Sequence, residues 1–557
     1  MANVGEVLAD MPGNNFISRF DFYQNRWPLK KAIVFPQASG SESITSSALA
    51  REAAFWQQYL QERGLVAGDH VVVAVPPGIL LYSLVTALLA AGMVPVFIDG
   101  GMGRKKVREA LQDARPAAAV SVIKTLRWFW LIPELRRCQR YAIDGCFPGV
   151  TALPLEQAHI ARSNPAMRLR IADVDTHAHG LISFTSGSTG RPKGADRTHY
   201  SLHQQHLAIR SHWPDAEDDV DCPCFPVMVL HNLSCGMTSV LPAIDFAAPG
   251  TVSNDQAAAT IALVDSWEVT RFSGAPAYMN AISDYLLADK RQLTNVRSVI
   301  VGGATVSRDV AEKIKRCFPN AYSRIAYGST EAEPVAAITL EEYLATDSTQ
   351  GYLVGEPVSC ANVTISCSLP LVNATEQDVV ISRCNDGECG EILVAGRHVL
   401  RGYINHPMAE AQNKIPRDND DEPVWHRTGD TGFFDEQGRL WLTGRTRDLI
   451  YGDHGVLQPL VIEQQIDALA GVQRSALIQW ESGELALYLQ TEQTIPALLP
   501  DIRPVLVAAG IAAITLLRIE KMPLDSRHNS KIDRPLLREY SHKIQLLEKI
   551  PCVLRQQ

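Results

Sequence analysis

The chain has 557 residues, more than a single hydrophobic core normally serves, and this length predicts two or more domains. Hydrophobic residues make up 46% of the sequence and charged residues 20%, a globular composition that excludes a largely disordered protein. The formal net charge of −9 argues against a nucleic-acid partner, because such proteins usually present a basic stripe.

The N-terminal segment and the cysteines bear on the cellular compartment. The segment 1–15, MANVGEVLADMPGNN, has neither a basic start nor an apolar stretch, so it does not resemble a secretory signal. The 11 cysteines are irregularly spaced, and the close pairs Cys222/Cys224 and Cys384/Cys389 lack the further ligands of a zinc site. An odd number of irregular cysteines predicts a reducing compartment, and we expect a cytoplasmic protein.

The first third of the chain alternates strand-like apolar runs with helix-like periodic stretches. Strands are predicted over 32–35, 71–75, 94–98 and 117–122, and helices over 47–63, 80–91 and 105–114. This alternation predicts an α/β fold with a parallel sheet.

One apolar segment in this region could be mistaken for a membrane span. Residues 71–98 carry no charge and are numerous enough to cross a bilayer. Pro76 and Pro77 interrupt the segment, however, and Pro95 lies near its end. We therefore expect a buried strand, helix and second strand, since such units are covered on both faces of a parallel sheet.

The segment 184–194, FTSGSTGRPKG, follows a predicted strand and combines glycines, hydroxyl side chains and a lysine. Accessible backbone amides, hydroxyl groups and a positive charge together suit a polyphosphate. The candidate phosphate contacts are Thr185, Ser186, Gly187, Ser188, Thr189, Gly190 and Lys193. A P-loop ATPase requires Ser or Thr after its lysine, whereas Gly194 follows here, so that class is disfavoured. A flexible Gly/Ser turn is the alternative.

The last two fifths of the chain change in pattern. Residues 360–396 contain closely spaced strands with Gly, Asp and Asn turns, which predicts a small antiparallel β unit. After Arg445 a separate short α/β pattern begins. We therefore expect a large N-terminal domain over 1–446, with parallel-sheet α/β subdomains and the antiparallel unit, and a small α+β C-terminal domain over 447–557.

Seven segments, spread over about residues 30–540, carry a family resemblance through their spelling and order. They are LLAAGMVPVFID (88–99), FTSGSTGRPKG (184–194), GGA (302–304), YGSTE (327–331), GEILVAGRHVLRGY (390–403), HRTGDTGFFDEQGRLWLTGR (426–445) and HNSKIDR (528–534). In this set the chain resembles the adenylate-forming superfamily, which contains acyl-CoA synthetases, luciferases and the adenylation domains of peptide synthetases. The resemblance implies an AMP-binding N-terminal domain, a mobile C-terminal domain, and ATP and Mg²⁺ as cosubstrate and cofactor.

The resemblance also implies which residues bind the nucleotide. They are Gly302, Gly303 and Ala304 at the adenine face, Tyr327 stacked on adenine with Gly328 beside it, Asp430 on the ribose hydroxyls and Arg445 on ribose and phosphate. An ionised carboxylate can accept two hydrogen bonds, which suits a sugar diol. Taken singly, each residue also fits a plain structural role, such as a turn or a surface ion pair.

A second set of implied residues surrounds the phosphates. Thr330 would contact the AMP phosphate, and Lys193 would contact the departing phosphates. Glu331, together with Thr185, would hold Mg²⁺, a hard cation that prefers oxygen ligands.

The C-terminal domain would complete the catalytic set. Lys531 would bridge the substrate carboxylate and the α-phosphate of ATP and so neutralise charge in the transition state. Arg447 would be the hinge about which the domain turns between two half-reactions. In the first, a carboxylate attacks the α-phosphate of Mg-ATP and gives acyl-AMP and pyrophosphate; the second consumes the acyl-AMP.

Departures from the general pattern bear on the second half-reaction. Tyr451 stands where CoA ligases usually have lysine, and Ser530 replaces the glycine before the catalytic lysine. The spellings DSRHNSKIDR (525–534) and CFPVMVLHNLSCGMTSVLPAID (224–245) are similar to olefin β-lactone synthetases, which adenylate a long-chain β-hydroxy acid and close a lactone ring. Two subtypes stay open: a β-lactone synthetase, or a fatty acyl-CoA ligase that passes the acyl group to CoA, a carrier protein or a partner enzyme. A catalytically reduced homologue that binds nucleotide or acyl chains is the alternative of another class.

Candidates for an acyl pocket are Val229, His231 and Gly274. The aromatic segment 128–130 (WFW) is a further candidate for lining a lipid tunnel. Both have a structural alternative, because buried histidines and aromatic clusters are common in cores.

Overall fold

The computed structural model describes residues 13–37, 40–185, 190–246, 248, 250–347, 349–419, 422–452, 455–524, 532–539 and 545–554. Their helices are Ser18–Arg26, Ser46–Gln61, Ile79–Ala90, Arg104–Ala114, Ile123–Leu126, Pro133–Arg137, Leu155–Ala161, His199–His212, Pro226–Leu233, Asn254–Ser266, Pro276–Ala288, Arg308–Cys317, Leu340–Ala345, Glu376–Ile381, Pro407–Asn413, Pro459–Asp467, Ile495–Ala508 and Arg534–Arg538. Short 3-10 turns lie at Gly100–Met102, Phe129–Leu131 and Thr446–Asp448. With the sheets below, this mixed architecture confirms the predicted α/β fold class.

The N-terminal sheet has seven strands within the described residues. Across the sheet they are Thr151–Ala152, Gln139–Ala142, Ala118–Ser121, His70–Val73, Val94–Ile98, His179–Thr185 and Lys193–Thr198. All neighbours are parallel except the last pair, which is an antiparallel hairpin. The three apolar strands predicted over 71–75, 94–98 and 117–122 are therefore confirmed.

Helix Ile79–Ala90, between strands His70–Val73 and Val94–Ile98, explains why residues 71–98 carry no charge. Every residue of Ile79–Ala90 except Leu80 is buried, because the helix is covered by the sheet and by helix Ser46–Gln61. Among the described residues, no helix is long and apolar enough to cross a membrane. The predicted strand–helix–strand unit is thus confirmed.

The central sheet combines a parallel half with an antiparallel half. Its strands, in spatial order, are Asn362–Ser366, Gly390–Ala395, Val424–Phe434, Leu440–Arg445, Tyr352–Pro357, Ala332–Thr339, Tyr322–Ser329, Ser298–Gly302, Arg271–Gly274, Val220–Pro223, Thr238–Val240, Lys31–Gln37 and Gly40–Thr45, with Lys414–Pro416 beside Val424–Phe434. Pairing is parallel from Tyr322–Ser329 to Lys31–Gln37 and antiparallel on both sides of that block. The strands predicted within 360–396 are antiparallel, but they extend this sheet instead of forming a separate unit.

Local sequence signals set the start of the helices that reach the site. Thr198 caps helix His199–His212 by accepting the Ser201 amide, and Pro226 occupies the first turn of helix Pro226–Leu233. These two helices bring the buried side chains of His206 and His231 together.

The C-terminal region forms its own sheet and core. Its strands are Val472–Gln479, Leu485–Thr491, Ala513–Ile519 and Leu546–Val553, preceded by the hairpin Ile450–Gly452 and Gly455–Leu457. Leu477, Leu487 and Leu516 are fully buried in one apolar cluster with the helices of this region. The domain boundary predicted at 446/447 falls within the turn Thr446–Asp448.

The cysteines give one unexpected result. Cys367 and Cys384 are joined by a disulfide bond, and Cys389 is a free thiol. A cytoplasmic location stays a prediction.

Candidate active site

Three of the predicted nucleotide-binding residues form one linked group at the middle of the central sheet. The Tyr327 hydroxyl donates to Asp430 Oδ2 over 2.7 Å, and Arg445 Nε lies 2.7 Å from Asp430 Oδ1. Asp430 and Arg445 are direct partners on adjacent antiparallel strands, so the backbone register sets this geometry. Asp430 Oδ1 and Oδ2 each have further lone pairs that can accept hydroxyl groups.

Charge and burial in this group shift the pKa values of Arg445 and Tyr327. The Asp430 carboxylate raises the pKa of Arg445, which therefore stays a full cation. Burial, reinforced by the same carboxylate, raises the pKa of Tyr327 well above its usual range, so the phenol remains a hydrogen-bond donor. The Asp430 amide donates to Thr428 Oγ1 over 3.0 Å, which fixes the strand at this point. A rigid carboxylate between a cation and a phenol can receive the two hydroxyls of a ribose.

The glycines next to this group are required by close backbone contacts. A Cβ added to Gly302 would lie 2.8 Å from the Ala326 carbonyl oxygen, and one added to Gly328 would lie 2.9 Å from the Ala332 carbonyl oxygen. Gly303 has a φ of +85°, a conformation that favours glycine. Ala304 follows, partly exposed. The resulting surface is made of backbone and offers a planar base close approach.

A second group centres on Glu331. The Tyr403 hydroxyl donates to Glu331 Oε1 over 2.9 Å, and the ammonium groups of Lys193 and Lys414 each lie 5.5 Å from the centre of the Tyr403 ring. Lys414 also donates to the Leu400 carbonyl oxygen. The two lysines near this carboxylate are basic groups that suit the phosphates of a nucleotide.

The pKa shifts in the second group reflect competition between burial and charge. Burial alone would raise the pKa of Glu331, but the nearby His426 and Lys414 side chains and the Tyr403 hydroxyl outweigh it and lower the pKa. Burial lowers the pKa of Lys193, with Glu331 opposing, and lowers the pKa of Lys414 to about 7. The Glu331 carboxylate is therefore ionised, which suits an oxygen ligand for a hard cation. The side chain is half-buried.

Arg197 connects the second group to the N-terminal sheet. Its Nη1 donates to Ser183 Oγ over 2.6 Å, and its Nη2 donates to the Thr330 carbonyl oxygen over 3.3 Å. Only 5% of Arg197 is exposed, and burial lowers its pKa. Since Ser183 lies in strand His179–Thr185, Arg197 fixes Thr330 and Glu331 relative to the start of the glycine-rich loop.

Comparison of the sequence with known proteins identifies a family. Residues 20–404 match the family of AMP-binding enzymes. The chain belongs to that family. It is 32% identical to the olefin β-lactone synthetase of Xanthomonas campestris pv. campestris over 501 residues, which are 85% of this chain and 86% of the relative. A feruloyl-CoA synthase from an Amycolatopsis species is 26% identical over 461 residues, 81% of this chain and 84% of the relative.

Solved structures agree on the fold. The amide bond synthetase McbA from Marinactinospora thermotolerans superimposes with a TM-score of 0.75 at 19% identity, covering 94% of this chain and 99% of McbA. The O-succinylbenzoate coenzyme A synthetase MenE from Bacillus subtilis, solved with AMP, gives 0.72 at 16% identity, covering 95% and 99%. This adenylate-forming enzyme therefore has the fold that the sequence resemblance implied.

Several expected phosphate contacts of the AMP-binding enzyme lie outside the described residues, namely Ser186, Gly187, Ser188 and Thr189. The ends of the loop are defined. Thr185 and Lys193 are cross-strand partners, and Gly190 has a φ of +93°. The hairpin thus holds Thr185 and Lys193 side by side, with Lys193 directed toward Tyr403 and Glu331.

The predicted catalytic lysine, Lys531, also lies outside the described residues. The predicted hinge residue, Arg447, is 56% exposed in the turn Thr446–Asp448. Its neighbour Asp448 lies 2.8 Å from Arg538 Nη2 and 3.5 Å from Arg534 Nε. Asp448 therefore connects the turn to the C-terminal region, which makes the turn a physical link between the two parts of the enzyme.

The acyl-pocket candidates are buried in this structure. Val229 is fully buried, and a Cβ added to Gly274 would lie 2.6 Å from Tyr278 Cδ1. His231 is 4% exposed, with its Nε2 3.6 Å from Cys235 Sγ and its ring centre 4.7 Å from that of His206. Burial lowers the pKa of His231 to about 3, so its ring is neutral.

Two groups of side chains in the described residues have the composition of metal ligands. The ligand atoms of His206, His231 and Cys235 lie within 4.8 Å of one another, but the charges of Arg271 and Arg210 further lower the pKa of His231, and the same field disfavours a divalent cation. In the second group, which consists of Cys367, Cys384 and Glu388, the disulfide occupies both sulfur atoms. Glu331 is thus the better candidate for a Mg²⁺ ligand.

Sequence reasoning missed four residues of the site and misjudged one segment. Tyr403 and His426 lie at the ends of two segments that carry the family resemblance, so their positions could have identified them as site residues. Arg197 and Lys414 lie outside every such segment. The segment 128–130 was wrong as a tunnel lining, because Trp128 and Trp130 are about half exposed.

Proposed function

We propose that this enzyme converts a fatty or β-hydroxy fatty acid to acyl-AMP with Mg-ATP and then cyclises a β-hydroxyacyl-AMP to a β-lactone. The observation that carries the adenylation step is the linked group Tyr327–Asp430–Arg445 beside the ionised Glu331 and Lys193. Support for cyclisation comes from 32% identity to olefin β-lactone synthetases over 85% of the chain, in Xanthomonas and in Stenotrophomonas maltophilia.

In the first half-reaction, a carboxylate oxygen of the acid attacks the α-phosphorus of ATP. A new P–O bond forms, the bond to the β-phosphate oxygen breaks, and pyrophosphate leaves with the electron pair. Asp430 would hold the ribose and Lys193 the departing phosphates, so that the reacting atoms stay aligned. Mg²⁺, when bound, would neutralise phosphate charge, and Glu331 with Thr185 would be its protein ligands.

The charged residues would contribute mainly through charge stabilisation. Lys531 would meet the substrate carboxylate and the α-phosphate as negative charge grows on the phosphoryl oxygens. After pyrophosphate leaves, the C-terminal domain (447–557) would turn about Arg447 relative to the N-terminal domain (1–446). That rotation would withdraw Lys531 and open the acyl carbonyl to a second nucleophile.

In the second half-reaction, the β-hydroxyl oxygen attacks the acyl carbon. The new C–O bond closes a four-membered ring, the bond between the acyl carbon and the AMP oxygen breaks, AMP leaves with the electron pair, and the hydroxyl proton passes to solvent. With the acyl chain beside the predicted pocket residue His231, the neutral rings of His231 and His206 would accept hydrogen bonds from a polar group without adding charge.

A fatty acyl-CoA ligase is the second candidate. The similarity to a feruloyl-CoA synthase over 81% of the chain favours it. The acyl group would then pass to CoA, a carrier protein or a partner enzyme. Against this, the exposed Tyr451 stands where CoA ligases usually have lysine. The intact Tyr327–Asp430–Arg445 group argues against a catalytically reduced homologue, because a decayed site has no reason to keep it.

Two measurements test the proposal. ATP–pyrophosphate exchange with purified protein and Mg²⁺ detects adenylation, and we expect exchange with long-chain acids that EDTA abolishes. Mass spectrometry of products from acids matched in length, with hydroxyl at carbon 3, at carbon 2 or absent, then separates the subtypes. A lactone formed only from the 3-hydroxy acid and without CoA supports cyclisation. A thioester that requires CoA supports the ligase, and no exchange with any acid contradicts both.

A further inference from the structure

The segment 128–130, which the proposed reaction does not use, displays two tryptophans on the protein surface. Trp128 is 47% exposed, Trp130 is 54% exposed and Leu131 is 57% exposed. The chain has nine tryptophans, and the other seven are buried or partly buried. We refer to Trp128, Trp130 and Leu131 as the tryptophan surface. Exposed contiguous aromatic side chains of this kind usually mark an interaction site.

The tryptophan surface is presented by a firmly anchored turn. Within Phe129–Leu131, the Phe129 ring points inward, where the Arg140 guanidinium lies 4.2 Å from its centre. A Cβ added to Gly149 would lie 2.8 Å from Phe129 Cζ, so the ring packs closely on this loop. Because the Phe129 ring is held by this packing, the backbone of the turn directs the neighbouring Trp128 and Trp130 side chains outward.

Basic side chains surround the tryptophan surface, although the whole chain carries a net charge of −9. Between residues 123 and 140 there are five basic residues and one acidic residue. Of these, Lys124, Arg127, Arg136 and Arg137 are exposed. The Arg127 guanidinium lies 5.1 Å from the Trp128 ring centre, so charge and aromatic surface are adjacent.

A neighbouring helix enlarges the basic surround. Helix Arg104–Ala114 packs against helix Pro133–Arg137, which in turn packs against the turn that carries the tryptophans. Arg104, Lys105 and Arg108 are exposed on that helix. A basic surround on an acidic protein is the charge complement of an acidic partner surface.

We propose that the tryptophan surface docks the enzyme on an anionic lipid bilayer. Tryptophan prefers the headgroup level of a bilayer, where its ring is half apolar and half hydrated. Lysine and arginine beside it are attracted to anionic headgroups, and this attraction falls off within a Debye length. Insertion of the apolar side chains and attraction of the basic ones together give reversible binding without a membrane span. Docking through this surface does not depend on which acid the enzyme activates.

Flotation with lipid vesicles tests this inference. Full-length protein would be mixed with phosphatidylcholine vesicles, with or without phosphatidylglycerol, at low and at high salt. We expect binding only to vesicles that contain phosphatidylglycerol, with strong weakening by salt. Replacing both tryptophans (Trp128→Ser with Trp130→Ser) should weaken binding ~10-fold or more. Replacing both Arg127 and Arg136 by Glu should weaken binding and reduce its salt dependence.

A matched control removes similar apolar surface elsewhere. Val380 and Ile381, 64% and 74% exposed on helix Glu376–Ile381, would be replaced by Ser, and vesicle binding should be unchanged. All variants should keep the wild-type melting temperature and the same pyrophosphate exchange with a water-soluble acid, because the replaced side chains are exposed. The proposal is overturned if wild-type protein does not float with anionic vesicles or if the tryptophan variant floats equally well. Loss of self-association in the variant without any vesicle binding would assign the surface to protein contacts instead.

Discussion

Two polar regions of the protein are built in different ways. We call the residues around Asp430 and Glu331 the nucleotide side, and we call the buried pair His206 and His231 the acyl side, because His231 is a predicted acyl-pocket residue. On the nucleotide side, polar groups are matched to one another: Asp430 receives Tyr327 and Arg445, and Glu331 receives Tyr403. On the acyl side, polar atoms are buried without such matching. Within the described residues, neither ring nitrogen of His206 and not Nδ1 of His231 has a hydrogen-bond partner.

This difference has a physical meaning. The matched groups prearrange charge for a substrate that is the same in every reaction of the family, namely ATP. Unmatched buried polar atoms cost free energy and persist where something else is selected for, such as contact with a particular substrate. We therefore expect the nucleotide side to determine the rate of adenylation and the acyl side to determine which acid is used.

The largest effect is expected from the residue that would join the two sides. Lys531→Ala should reduce pyrophosphate exchange ~10³-fold, since it removes the charge that would stabilise the pentacoordinate phosphorus. Consumption of presynthesised acyl-AMP should stay within a few-fold of wild type, because that step follows domain rotation. Single-turnover assays of both steps measure this, and equal loss of both would contradict the two-conformation mechanism.

The second largest effect is expected from a substitution that alters only the nucleotide side. Asp430→Asn should lower pyrophosphate exchange ~100-fold and raise the KM for ATP, since a neutral amide no longer balances Arg445 and holds the ribose less well. Glu391→Gln is the matched control, because Glu391 lies 2.6 Å from Arg427 on neighbouring strands of the same sheet. If both variants changed the KM for ATP equally, Asp430 would have only a structural role.

Features that depend on local sequence could be predicted, and features that depend on long-range contacts could not. The fold class, the strands of the N-terminal sheet and the Asp430 group lay in segments with strong periodicity or family spelling. Arg197 and Lys414 could not be found, because their role depends on which strands meet in space and not on local sequence. The merging of strands from 360–396 into the central sheet was missed for that reason too, since pairing with Val424–Phe434 is a long-range contact.

The segment 128–130 was misjudged for a simpler reason. Sequence composition indicates that an aromatic cluster is apolar but not which face of a turn its members occupy. Phe129 packs inside and its two neighbours outside, and only the backbone of the turn Phe129–Leu131 decides this.

A stability measurement addresses Asp221, a buried carboxyl that is hydrogen-bonded to helix Pro226–Leu233, which also carries His231. Asp221 is fully buried, accepting from Asn232 Nδ2 over 2.8 Å and from Ser273 Oγ over 3.2 Å, and burial raises its pKa to about 6. A raised carboxyl pKa means that the folded state holds the proton more tightly than the unfolded state between pH ~4 and ~6. This group therefore favours folding at low pH and loses that contribution as pH rises through 6.

Asp221→Asn should remove that pH dependence. Above pH ~6 the variant should be more stable than wild type, by on the order of 1–3 kcal/mol, and near pH ~4 the two should be equal. Urea unfolding of both proteins across this range measures the difference. The comparison between variants is needed because buried histidines such as His231, with its lowered pKa, act in the opposite direction below pH ~6.5. A variant that is less stable than wild type at every pH would show that the Asp221 charge is fully compensated.

The smallest effect is expected at His231. His231→Ala should change the KM for long-chain acids ~3- to 10-fold and leave the KM for ATP unchanged, because the side chain belongs to the acyl side and carries no charge at neutral pH. The matched control is His199→Ala, since His199 is equally buried but accepts the Phe16 amide over 3.1 Å and so has a structural partner. Steady-state kinetics with acids of graded length measure the effect. We expect both variants to lower the melting temperature, because each removes a buried side chain, and only His231→Ala to change acid preference. If His231→Ala altered the KM for ATP as much as that for the acid, the two sides would be energetically coupled and their separation would be wrong.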